Sequence, residues 1–114
     1  HMTSYNPGDI VLVDVIFSDG TDIKKRPAVI ICTREYHKGR REIIIAAVTG
    51  NIDRMLIGDT KIEKWKEAGL LFSSLAAGIV QTIKGRMIER KLGTLLEEDF
   101  QRMQKNIKKI IQVA

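Results

Sequence analysis

Lys25-Arg26-Pro27-Ala28-Val29-Ile30-Ile31 and, after a gap, Ile43-Ile44-Ile45-Ala46-Ala47-Val48-Thr49 are the two stretches on which the fold turns. Each joins an apolar run of strand length, rich in β-branched residues, to one polar group at its end. Arg26 stands where the first strand begins and Thr49 where the second stops. A sheet that pairs the two holds a fixed cation beside a fixed hydroxyl, and that combination suits a phosphodiester.

Working outward, Ile10 to Phe17 is a β-branched run interrupted by Asp14, bounded by Pro7-Gly8 and Ser18-Asp19-Gly20, and it reads as a strand covered on both faces. Residues 18 to 25 read as a polar loop that delivers Lys24, Lys25 and Arg26 to the next strand. Pro27 limits that strand's start to an edge or to a position needing no amide donor. Residues 33 to 41 form a cationic connection, and Glu42 to Val48 is the third strand, in a hairpin with the second. Gly50-Asn51 is a turn, and a semi-polar loop leads to a short strand near Lys61-Ile62. Glu63 to Ala68 reads as a brief helix stopped by Gly69. Ala77 to Ile83 and Met87 to Leu92, split by Lys84-Gly85-Arg86, read as another hairpin.

The last segment has a different period. Phe100, Met103, Ile107, Ile110 and Ile111 recur at spacings of three and four and fall on one helical face. Glu97, Glu98 and Asp99 open it and Lys105, Lys108 and Lys109 close it, which matches the helix macrodipole, and Thr94 with Glu97 is a candidate capping box. Those lysines read as a solvated helix end ahead of a nucleic-acid contact.

The chain has 114 residues, the length of one ordinary domain, so residues 3–114 are expected to form a single unit behind an expression-tag remnant at 1–2. With 44% apolar and 29% charged residues it can bury a core and is not disordered by composition; with 5% aromatics that core is aliphatic. The formal charge of +5 favours an anionic partner. No apolar run reaches bilayer-spanning length, and the expected location is the cytoplasm. Cys32, the single cysteine, reads as a buried inert thiol, and His37, beside Lys38-Gly39-Arg40, as solvated surface.

No cluster of His, Cys, Asp and Glu has metal-ligand spacing, and no Gly-rich phosphate loop or nucleophile elbow is present. No metal and no cofactor is therefore expected. RNA permits metal-free cleavage, because its own 2′-OH attacks the adjacent phosphorus and the protein need only position it, stabilise charge and shuttle protons. Arg26 offers a planar fork of donors that stays charged, and Thr49 a hydroxyl stiffened by its β-branch. From spacing alone, Lys24-Lys25-Arg26 reads equally as a charged approach to a strand, and Thr49-Gly50-Asn51 as a turn.

The ordered set of motifs resembles the MazF/PemK-like toxins of type II toxin-antitoxin systems. The resemblance runs through Pro7-Gly8-Asp9-Ile10-Val11-Leu12-Val13-Asp14, Asp19-Gly20, Lys25-Arg26-Pro27-Ala28-Val29, Ala46-Ala47-Val48-Thr49, Trp65-Lys66-Glu67-Ala68-Gly69-Leu70, Thr82-Ile83 and Leu92-Gly93-Thr94-Leu95. It implies a mainly β fold, a small SH3-like antiparallel barrel of the MazF/PemK/CcdB kind with a short internal helix and a C-terminal helix, assembled as a homodimer. The activity it implies is metal-independent, sequence-selective endoribonuclease cleavage of single-stranded RNA, restrained by a cognate antitoxin protein.

By the same resemblance Arg26 and Thr49 are catalytic. Lys24, Lys25, Asp19 and Gly20 would line one wall of an RNA groove, and Gly50 and Asn51 the other. Asp9 and Asp14 read as structural. Where several relatives carry a basic residue and an aspartate before Thr-Ile, this chain has Ala76 and Gly78, and Ser73-Ser74 replaces the usual Pro-Ser. That departure leaves the proton-transfer role without an owner and keeps two alternatives in view, an RNA-binding member without turnover and an inhibitor of a protein target such as a topoisomerase.

Overall fold

The computed structural model describes residues 5–16 and 23–112. Strands β1 (Asp9–Ile16), β2 (Ile23–Ile30), β3 (Glu42–Thr49), β4 (Thr60–Ile62), β5 (Ser74–Lys84) and β6 (Ile88–Thr94) form one antiparallel sheet in the order β4-β5-β3-β2-β1-β6, curled into a half-barrel. Two helices accompany it, α1 (Arg34–Lys38) and α2 (Glu97–Lys108). The sheet buries both faces, as the continuous apolar runs require. On one side Ile10, Val29, Val48, Leu70 and Leu95 pack with Met103 of α2; on the other Val11, Val13, Ala28, Ile30, Ile43 and Ile45 pack with Cys32 and Ile83. Burying each of these larger aliphatic side chains contributes about 1.5–3 kcal/mol.

Several elements depart from the sequence expectation. β2 begins at Ile23, so Lys24, Lys25 and Arg26 lie within a strand, opposite Val15, Asp14 and Val13 of β1, and not on a loop. Pairing with β1 is what extends it. The 33–41 connection contains α1, whose N-cap Thr33 accepts the Tyr36 amide through Oγ1 at 3.2 Å. His37 in α1 is buried rather than solvated, and its Nε2–H donates to the Tyr5 carbonyl at 2.8 Å. The 63–69 segment is a run of turns rather than a regular helix. It closes as expected at Gly69 (φ +96°), with Leu70 N–H donating to Trp65 O and Gly69 N–H to Lys66 O, the paired bonds of a Schellman motif.

The Ala77–Leu92 hairpin is also replaced. β5 pairs with β3 and β4, whereas β6 pairs with β1, and a 3₁₀ turn at Gly85–Met87 carries the chain from one to the other. Thr94 does not cap α2. Its Oγ1 donates to buried Asp9, 3.0 Å away, which also accepts the Asn6 amide and pairs with Lys91. The N-cap position belongs to Leu96, with no side-chain bond.

Asp99, in the first turn of α2, is buried and accepts the amides of Glu63 (3.2 Å) and Lys64 (2.9 Å) while pairing with Arg102. Asn106 donates to Asp59 O and Thr60 Oγ1, so the helix is tied to the body at both ends. Beside it, the 63–69 turn meets β6 with no room for a side chain: a Cβ on Gly93 would sit 1.9 Å from the Ala68 carbonyl oxygen, and one on Gly69 2.3 Å from the Leu92 carbonyl oxygen. Asp99→Ala, which removes a buried carboxylate and leaves the two part-buried amides it accepts without that partner, is expected to cost about 2–3 kcal/mol. Gly93→Ala should cost at least as much, and Glu97→Ala on the exposed side less than about 1 kcal/mol. Urea unfolding of the three variants checks this ranking.

Candidate active site

The site follows from where one ladder ends. β2 is partnered by β1 along its whole length, but β3 pairs with it only over Ala28↔Ala47, Val29↔Ala46 and Ile30↔Ile45. Ile31 N–H donates to Ile44 O at 3.0 Å, so by antiparallel alternation the amides of residues 31, 29 and 27 are those that face β3. Residue 27 is proline and has no proton to give. The ladder stops there, and continuing its register past Pro27 and Val48 leads next to Arg26 on one strand and Thr49 on the other.

A cavity of about 600 Å³ lies beside the end of this ladder. Arg26 and Thr49 both line it, with Lys25, Pro27 and Gly50 from the same two strands and their turn, Leu12 of β1, Arg90 and Leu92 of β6, and Gly69 to Phe72 together with Ser74. Arg26 is exposed, its Nη1 3.5 Å from the Lys25 carbonyl. The Thr49 hydroxyl accepts the Asn51 amide at 3.1 Å, which orients its oxygen and leaves its own proton for a ligand. The Asn51 side chain in turn accepts the Asp53 amide at 3.4 Å.

Of the residues expected from the sequence, the structure brings Arg26, Thr49, Lys25 and Gly50 to one cavity. Lys24 and Asn51 are not among its lining residues, and Asp19 and Gly20 lie outside the described residues. Lys25 is engaged: its ammonium pairs with Asp14 at 3.0 Å and with Glu89. The hydrogen bond to Glu89, then that to Asp14, raises its pKa above the ordinary 10.5, so it stays cationic throughout the neutral range. Arg90, Leu71 and Phe72 were not foreseen.

The cavity is cationic and hydroxylic. Among the described lining residues there is no carboxylate and no imidazole. Across the described residues no group of three His, Cys, Asp or Glu side chains is arranged to hold a metal ion, and no helix is long and apolar enough to cross a membrane. The bare Ala76 and Gly78 have a packing reason. Ala76 is buried opposite Val48 and Thr60, and the Gly78 amide donates to Asp59 Oδ1 at 2.7 Å. A Cβ on Gly78 would lie 3.0 Å from the backbone of Gly58, itself at φ +98°. The 57–59 turn occupies the space a charged side chain would need.

Residues 6–111 match the family described as PemK-like, MazF-like toxin of type II toxin-antitoxin system. No curated protein matches the sequence. Among solved structures the chain is similar to the Mycobacterium tuberculosis toxin MazF-mt6, with a TM-score of 0.72 and 21% identity over 88% of this chain and 92% of that one. It is similar also to MazE-MazF from Deinococcus radiodurans (TM-score 0.77, 11% identity, 95% and 96% covered). A third is an endoribonuclease in complex with its cognate antitoxin from a mycobacterial species (TM-score 0.75, 10% identity, 91% of each chain). At these identities the likeness is one of fold.

The Lys25 pairings make a specific pH signature. A group whose pKa is raised on folding stabilises fully below its unfolded value and loses that contribution as pH rises through the folded one. The stability difference between wild type and Lys25→Met is therefore expected to be small at this exposed site, constant from pH 7 to 9, reduced by salt, and lost above pH 10.5. Denaturant melts across that range measure it.

Proposed function

The chain belongs to the PemK-like, MazF-like toxins of type II toxin-antitoxin systems, and from that membership we propose that it is an endoribonuclease toxin that cuts single-stranded RNA with Arg26 and Thr49 at the scissile phosphate. The observation that supports the assignment is that both side chains line one cavity, at the positions the β2–β3 register reaches when continued past Pro27 and Val48. A tetrahedral-to-pentacoordinate phosphorus gathers charge on its equatorial oxygens, and donors already fixed around that position stabilise it without reorganising.

The 2′-oxygen attacks the adjacent phosphorus as it loses its proton, the bond from phosphorus to the 5′-oxygen of the next nucleotide breaks, and that oxygen takes up a proton as it leaves. The products are a 2′,3′-cyclic phosphate and a 5′-hydroxyl. Arg26 presents its planar fork to two phosphate oxygens. Thr49 donates its O–H to the same phosphate, since its lone pairs already hold the Asn51 amide. Lys25 is bound to two carboxylates, so its charge is already compensated and it serves the strand pairing more than the phosphate. The attacking group belongs to the RNA, so positioning and charge are the protein's main contributions.

Its partner is the cognate antitoxin, a chain whose acidic, flexible segment suits a surface of net charge +5. Residues 3–114 act as one domain behind the tag remnant at 1–2, in the cytoplasm, as a homodimer. The lack of a carboxylate or imidazole among the described lining residues favours one second reading, an RNA-binding member with little turnover.

Cleavage of an oligoribonucleotide in excess chelator decides between them. Arg26→Ala is expected to lower the rate by about 100-fold or more, and Thr49→Val by about 10- to 100-fold, each with affinity changed far less. Full activity in Arg26→Ala would sink the site assignment, and tight wild-type binding without product would favour the second reading.

A further inference from the structure

Two features of the Arg26–Thr49 cavity are left without a role by the reaction. The first is Arg90. Its strand, β6, pairs with β1 so that Arg90 stands opposite Leu12, and Leu12 stands opposite Pro27 of β2. Arg90, Leu12 and Pro27 thus form one row across three strands, and all three line the cavity. Two strand spacings, about 10 Å, separate Arg90 from the strand that carries Arg26. Neighbouring Glu89 is taken by Lys25, and Arg90 has no hydrogen-bond or ion-pair partner among the described residues.

The second feature is the Leu71-Phe72 tip. Both side chains line the same cavity, yet Leu71 is 83% and Phe72 71% exposed, in a chain with few aromatic residues. The tip is held rigidly at its base. Gly69 and Gly93 bring the turn's backbone into contact with β6 at Leu92 and Gly93, two or three residues from Arg90. Leu70 beside it is buried. An aromatic face with a guanidinium near its base is the pairing by which proteins hold one unstacked nucleotide, ring on base and cation on phosphate.

Resting on the ribonuclease reading above, we propose that Arg90 and Phe72 form a nucleotide subsite beside the Arg26–Thr49 pair, Arg90 holding the phosphate next to the scissile one and Phe72 stacking on the attached base. Arg90 acts as a binding and positioning residue, one phosphate along from the chemistry. Because stacking accepts any base face, Phe72 strengthens binding without demanding one base.

The test uses the full chain and an oligoribonucleotide that spans a cut site mapped with the wild-type protein, with 2′-deoxyribose at the cut position to prevent attack. Binding is measured against salt concentration for wild type, Arg90→Ala, Arg90→Lys, Phe72→Ala and Phe72→Tyr, each checked for an unchanged thermal melt. Loss of one phosphate contact is expected to reduce the slope of log affinity against log salt by about 0.7 in Arg90→Ala, with Arg90→Lys restoring it. Phe72→Ala is expected to weaken binding about 5- to 100-fold with the slope unchanged, and Phe72→Tyr to recover it. A 2-aminopurine beside the cut position should be quenched by wild type and Phe72→Tyr but not by Phe72→Ala.

An unchanged slope in Arg90→Ala, or unchanged affinity in Phe72→Ala, overturns the subsite while wild-type cleavage leaves the ribonuclease reading standing. Phe72→Ala that sediments as a smaller species with unaltered RNA affinity also overturns it and assigns the ring to contact between copies. Wild type that neither binds nor cuts RNA removes both.

Discussion

The missing amide proton of Pro27 governs the architecture of the cavity. Antiparallel strands stay together as long as each facing amide finds its carbonyl, and β2 and β3 do so from Ile31 to Ala28. At residue 27 no donor exists. β2 is nonetheless kept extended by its complete ladder with β1, so it does not fray but diverges from β3 as an ordered strand. A cation and a hydroxyl placed one residue beyond that point, on two rigid strands, face each other across an opening rather than across a closed rung. The strands thus supply the stiffness on which the phosphate site proposed for these two side chains depends.

Two pairs of glycines let turns lie directly on the sheet, and one of these turns continues into the cavity wall at Gly69 to Phe72. Gly69 and Gly93 let the 63–69 turn lie against β6, and Gly58 and Gly78 let the 57–59 turn lie against β5. In each case backbone meets backbone where any side chain would intervene, and one member of each pair is at positive φ. Helix α2 ties into both regions, through Asp99 to the amides of Glu63 and Lys64 and through Asn106 to Asp59 and Thr60. Its buried Asp99 carboxylate and its Asn106 side chain therefore hold the turns at the two ends of β4, while its apolar face covers one core.

Much of this was legible in the residues and some was not. Apolar runs of strand length marked β1, β2 and β3, and spacing of three and four marked α2, because those periods are local. The strand order at the far end was not local: Lys84-Gly85-Arg86 has hairpin composition, yet the 3₁₀ turn there sends β6 to β1. Thr94 looked like a helix cap from its distance to Glu97, and lost that role to Asp9, 85 residues away. His37 sits among cations in sequence but its ring is turned inward by one helical turn. Arg26 and Thr49 were readable as polar ends of two apolar runs. Arg90 and Phe72 carried no such signal, since an arginine in a charged strand and a phenylalanine beside Leu70-Leu71 resemble surface and core until the fold places them.

The pairing of β1 with β6 has a consequence for synthesis. Asp9 lies opposite Thr94, so the first strand of the sheet waits for the last. Until that strand has left the ribosome, β1 is an unprotected edge and Asp9 has neither Thr94 nor Lys91. The wall of the cavity that contains Arg90 and Leu92 does not yet exist, nor does the surface against which the 63–69 turn rests. Folding of this kind is governed by long-range closure and is correspondingly slow. A nascent chain carries Arg26 and Thr49 from early in translation, but it completes the pocket around them only once nearly the whole protein has been made.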